Sequence, residues 1–104
     1  MISDLPLCDF TQPVELQAVR ALGRQVVRFA HALPRHRRLS GEGAGSLQLA
    51  TEQCDWLLPA DPLPTGLVPV PGDTLQSDDE RWLVQSAELL VGGSVWRCCC
   101  RLQD

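Results

Sequence analysis

The chain has 104 residues with no lysine, no tyrosine and a single methionine. All nine cationic residues other than the two histidines are arginine. Either a coding bias or selection for bidentate guanidinium contacts accounts for that usage. No run approaches the roughly 20 apolar residues that a membrane-crossing helix needs. "MISDLPLCDF" has no basic region followed by an apolar core, so no signal peptide is expected and the chain is placed inside the cell that makes it. Five cysteines, Cys8, Cys54, Cys98, Cys99 and Cys100, are an odd number and make a disulfide framework unexpected. Neither Cys-x-x-Cys nor His-x-x-x-His occurs, and consecutive cysteines on a strand face opposite ways, so the spacing argues against zinc. No serine or cysteine sits in a nucleophile-elbow context, and nothing places a thiolate-stabilising partner beside a cysteine to mark a redox site. No catalytic, cofactor or metal site is therefore expected. A Cys54–His36 pair is the one arrangement that spatial folding rather than sequence spacing would have to create.

What is present is a single modest domain with 44% hydrophobic and 21% charged residues and a net charge of −4. That balance argues weakly against a dedicated nucleic-acid binder. The charges are segregated: Leu16 to Leu39 holds Arg20, Arg24, Arg28, Arg35, Arg37 and Arg38 with no acid, whereas Asp73 to Glu88 holds five acids and one arginine. A basic edge and an acidic edge on one small domain suit head-to-tail contact with copies of itself or with neighbours.

Thr11 as N-cap, Pro13 and Glu15 in a first turn, and Leu16, Val19 and Leu22 at helical spacing predict a helix over residues 12–22. Two readings of residues 23–33 stay open. The helix could run on through Val26, Phe29 and Leu33 to stop at Pro34, or Gly23 could cap it before a strand "RQVVRFA". Residues 34–46, "PRHRRLSGEGAGS", read as a flexible loop, and their glycines do not follow a strand as a phosphate cradle requires.

From 47 to 102 the pattern is a β-meander. "LQLATE" alternates, and Cys54, Trp56 and Leu58 share a face. Prolines 59, 62, 64, 69 and 71 forbid a central strand or helix across the next stretch. A strand restarts at Thr74 and Leu75, turns through Ser77 to Glu80, and returns over Arg81–Ala87. A Gly92–Gly93 turn then leads to Val95–Leu102, with Trp96, Cys98, Cys100 and Leu102 on one face. The expected fold is mainly β (α+β): a small antiparallel β-barrel or sandwich of five or six strands with an N-terminal helix. The acids Asp78, Asp79 and Glu80 are expected at a solvated hairpin tip.

"PVPGDTLQSDDERWLVQSAELLVGGSVWRCCCRL", Pro69 to Leu102, resembles the C-terminal half of the small head-tail joining or tail-completion (neck) proteins of tailed bacteriophages and prophages, lambda-like minor structural proteins among them. The residues carrying the likeness are Gly72 and Asp73 followed by Thr74 and Leu75, the aromatic Trp82 with Val84, the Gly92–Gly93 turn, and Arg101 with Leu102. Upstream, "CDWLLPADPLPTGLVPVPGD" is similar to the family's strand, proline-containing crossing and Gly-Asp corner. The segment 34–46 departs from it by lacking a second clear strand.

The resemblance implies a structural virion protein that forms a ring at the head-tail connector or upper tail end. Its implied partners are other copies of itself and portal, connector or tail proteins, with passing contact to DNA in the channel and no membrane. Its implied location is the bacterial host cytoplasm during assembly and then the virion neck or tail. Arg35, Arg37, Arg38, Asp78, Asp79 and Glu80 are the candidate interaction residues. A reading from another class is a small intracellular SH3-like binding module using Trp56, Trp82 and Trp96 as a ligand platform. A thiol or zinc protein is a third.

Overall fold

The structure is a computed structural model and describes residues 11–40, 51–90 and 92–103. Its six strands are β1 (Gln12–Arg20), β2 (Gly23–Ser40), β3 (Thr51–Pro59), β4 (Thr74–Ser77), β5 (Glu80–Leu89) and β6 (Val95–Gln103). They close into an antiparallel barrel in the order β1-β2-β3-β6-β5-β4, and no helix occurs among the described residues. The fold is thus all-β, and of the two architectures expected the barrel is the one formed.

The helix expected over 12–22 is instead β1 and the turn that follows it. Val14, Leu16 and Ala18 alternate into the barrel with period 2. Two of the three residues that suggested a helical stripe are the exposed ones, Val19 at 72% and Leu22 at 98%. A lone helix with that stripe would bury little, whereas the strand pairs β2 along its length and β4 beside Leu16. Tertiary pairing overrides local spacing here.

Residues 23–33 are strand, and so are residues 34–40, expected as the start of a flexible loop; residues 41–46 lie outside those described. β2 serves two neighbours in succession. It pairs β1 up to Ala32 and β3 from Leu33 onward. Pro34, with no N–H to offer, lies just past the last β1 pairing. An irregularity between Arg35 and Arg38, with His36 at a φ of 56°, interrupts the pairing with β3 just after the change of neighbour. Polar side chains are compatible with a strand there because they sit on the barrel's outer face. Of "LQLATE", Thr51 and Glu52 open β3 and residues 47–50 lie outside those described.

The remaining elements follow the expected alternation. Cys54, Trp56 and Leu58 from β3, Leu75 from β4, Trp82 and Val84 from β5, and Cys98 and Cys100 from β6 fill the interior with Leu16 and Phe29. Burying each of the larger apolar side chains contributes about 1.5–3 kcal/mol. Trp56 and Trp82 meet edge to face with ring centroids 6.1 Å apart. The proline-rich crossing after β3 forms no strand and pins Leu67 and Leu63 onto the core. The β4–β5 turn puts Asp78 at a φ of 54°, a conformation that aspartate tolerates better than most residues.

The barrel's shortest ladder is β1–β4, a seam closed by three pairs: Glu15–Gln76, Leu16–Leu75 and Gln17–Thr74. What fastens the end of that seam is the corner before β4.

Candidate functional site

The corner is built by Gly72 and Asp73. Gly72 takes a φ of +100°, a region open to glycine and strained for other residues. Its N–H donates to the carbonyl of Val84 at 2.9 Å, and the Val84 N–H donates to the carbonyl of Asp73 at 2.9 Å. The corner is thereby locked to β5. The Asp73 carboxylate, 4% exposed, accepts from the Val70 N–H at 3.0 Å and from both terminal nitrogens of Arg20, at 2.7 and 2.8 Å. One of those nitrogens also donates to the Val68 carbonyl at 2.9 Å. This is a bidentate guanidinium–carboxylate pair joining the end of β1 to the start of β4. It raises the pKa of Arg20, chiefly through the hydrogen bonds to Asp73.

At the other end of the barrel, Arg37 from β2 donates to Glu52 of β3 and, at 2.7 Å, to Glu80 at the start of β5. Its guanidinium also lies 5.2 Å from the ring centroid of the buried Trp82. Hydrogen bonding to Arg37 lowers the pKa of Glu52, and the same two carboxylates raise that of Arg37. Two of the expected interaction residues, Arg37 and Glu80, are therefore partners of each other within one chain.

The other four expected residues are not brought together. Arg38 donates to the His36 carbonyl at 2.6 Å and lies 3.7 Å from Asp55 Oδ1. Arg35 is exposed, and its side chain has no ion-pair or hydrogen-bond partner among the described residues. Asp78 and Asp79 are exposed at the β4–β5 turn, and neither side chain is ion-paired among the described residues. Arg35, Asp78 and Asp79 thus remain available to a partner.

Three concave regions are lined by these residues, one of them, of about 210 Å³, by Asp79 with Gln76, Arg81 and Gln103. A second, of about 200 Å³, is lined by Arg35, His36, Asp55, Leu57, Leu90 and Arg97. It carries both signs of charge, with Arg97 held by Glu88 at 3.0 Å. The third, of about 480 Å³, crosses β4, β1 and β2 between Pro13, Ala30, Gln76 and Asp78.

Trp56 and Trp82 lie in the barrel interior and Trp96 packs half-buried against the core, so they do not form a surface platform. Burial pushes the thiol pKa of Cys54 up to about 11 and that of Cys98 up to about 12, and raises that of Cys100 as well. A thiol held neutral in this way is a poor nucleophile and a poor metal ligand at neutral pH. The Cys54 Sγ points to the Arg35 carbonyl at 3.6 Å, not to an imidazole. Among the described residues no group of three His, Cys, Asp or Glu side chains is placed to hold a metal ion.

The Arg20–Asp73 pair is hidden by the expected helix over 12–22, which would not bring Arg20 beside the start of β4; the available signal is the Gly-Asp corner itself. The fold and its surface define a small closed antiparallel barrel with charged ends. No known family model matches the chain, and no curated protein matches it.

Proposed function

We propose that the protein is a non-enzymatic structural component of a phage or prophage-like particle, forming a ring at the head-tail connector or the upper end of the tail. The observation that carries this reading is the Gly72–Asp73 corner in its setting. A strand, a proline-rich crossing, the corner, a polar hairpin and a last strand with Arg101 and Leu102 near its end follow in the order that resembles the neck family. Support comes also from the charges left without a partner among the described residues: Arg35 from the basic run, and Asp78 and Asp79 from the acidic one, while Arg20, Arg28 and Arg37 are held by acids of the same chain. Such surfaces favour heterologous contacts, which generate rings when the rotation closes.

In this reading the barrel is the rigid unit of the ring. The copies' neighbours are portal, connector or tail proteins, and Arg35 or Arg38 face either an acidic protein or DNA passing through the channel. The protein works in the host cytoplasm during assembly and then in the virion neck or tail.

The test is to remove the gene from the particle-producing host and image the lysate by electron microscopy. Filled heads separate from tails, or tails with an unfinished upper end, are expected, with rescue by the wild-type chain supplied in trans. Normal numbers of joined particles would overturn the reading.

A further inference from the structure

Two ribbons of the barrel run past their neighbours and, among the described residues, leave backbone edges open. β2 meets β3 only from Leu33 onward, so its first part, Arg24 to Phe29, pairs β1 alone. Arg20 and Gly23 flank the two-residue turn and form a doubly hydrogen-bonded pair. Counting alternately from it, Arg24, Val26 and Arg28 direct their N–H and C=O groups away from β1. Among the described residues, neither a β3 partner nor a turn or loop backbone bond reaches them.

β5 repeats the situation. Its pairing with β4 ends at Leu83, and the corner takes Val84, so Ser86 to Leu89 pair β6 alone. The Leu90 N–H to Val95 carbonyl bond sets the phase there and leaves the backbone groups of Ala87 and Leu89 outward.

Side chains distinguish the two edges. Val19, Leu22, Val26 and Leu89, four of the six exposed large hydrophobic residues, lie on these ribbons. The β2 edge carries Arg24, which donates to Gln17, and Arg28, paired with Glu15 of β1, with no acid of its own, whereas the β5 edge carries Glu88, paired with Arg97 of β6, with no cation of its own.

We infer that the open β2 edge of one copy receives the open β5 edge of the next by antiparallel strand addition. The inference rests on the ring reading and names its contact. Unpaired backbone donors and acceptors in a row call for an extended polypeptide, which supplies both. Strands alternate in direction around the closed barrel, so β2 and β5 run oppositely. Copies related by rotation about an axis along the barrel therefore present these edges antiparallel without inversion. Pairing β2 with β2 would require a two-fold inversion and would set the Arg24 and Arg28 row against itself, and like charges opposite one another destabilise a sheet. The β2–β5 contact is heterologous and leaves one free edge of each kind at every step, as a ring needs.

The experiment uses the full chain in a Cys8→Ser, Cys99→Ser background with mild oxidant, placing V26C or R28C on one edge and L89C on the other. Mixing a β2-edge variant with L89C is expected to give a disulfide-linked dimer that neither gives alone, and V26C/L89C in one chain is expected to give higher multimers. V26P, which removes an outward N–H and leaves the β1 ladder intact, is expected to raise the concentration of half-assembly at least tenfold. Cross-linking of V26C with itself would overturn the proposal in favour of β2–β2 pairing. Wild-type rings with no mixed cross-link would overturn this contact and leave the ring reading standing. A wild-type chain that never self-associates would overturn both.

Discussion

Removing Arg20 should cost more stability than removing its partner Asp73. The carboxylate collects three charge-assisted hydrogen bonds, two from Arg20 and one from the Val70 N–H. Such bonds are worth about 1.5–3 kcal/mol each. In Arg20→Ala the carboxylate, 4% exposed, keeps a single donor, and an uncompensated buried charge costs about 3–5 kcal/mol. In Asp73→Ala the guanidinium, 27% exposed, can turn to water, so the loss is nearer about 2 kcal/mol. A domain of this length has about 5–15 kcal/mol in total, so Arg20→Ala removes a large share of it. Urea unfolding at pH 7, followed by the fluorescence of Trp56 and Trp82, measures both variants and the double mutant. The double mutant is expected to be no less stable than Arg20→Ala, giving a coupling energy of about 2 kcal/mol. An Arg20→Ala loss below about 1 kcal/mol, or additive single effects, would refute the claim that this pair fastens the β1–β4 seam.

Gly72→Ala should cost about 1 kcal/mol or more, because its φ of +100° is strained for any residue with a Cβ; a thermal melt reads the shift. Glu52 has a depressed pKa in the folded state, so its pairing with Arg37 stabilises above the usual carboxylate pKa and fades as pH falls through the folded value. The stability difference between wild type and Glu52→Gln should therefore be present at pH 7 and shrink toward pH 3, and a difference that grows on acidification would contradict it. Cys54 and Cys98 have raised folded pKa values, about 11 and about 12, so their protonated forms favour folding below the unfolded pKa. Stability should fall as pH rises above about 9, and Cys54→Ala and Cys98→Ala variants should each show a shallower alkaline slope, with the buried Cys100 keeping part of it. With a thiol reagent at neutral pH, Cys54, Cys98 and Cys100 should react only as fast as the barrel opens, whereas half-buried Cys99 reacts from the native state.

The C-terminal half was legible because its period-2 pattern and its turns agree with each other. Trp82 and Val84 point inward, the Asp78–Asp79 and Gly92–Gly93 turns fall where the residue types require, and Cys98 and Cys100 enter the core. The N-terminal strand was not, because Leu16 fits both a helical stripe and a strand alternation. What decides between them is pairing with Leu75, a contact remote in sequence. Residues 34–40 were masked by their own basicity: a row of arginines looks like loop until a barrel supplies an outer face for it. The same limit applies to the candidate site. Charge clustering singled out Arg37 and Glu80, yet only the closed barrel shows that they meet over Trp82, and only the strand pairing shows which backbone edges remain open.

The most direct test of the ring claim is the mass distribution of the purified protein by native mass spectrometry across concentration, with imaging of any large species. The account predicts one closed oligomer, formed at high concentration or on adding portal or tail protein, and no open-ended series. A chain that remains at its monomer mass with every such partner would contradict it.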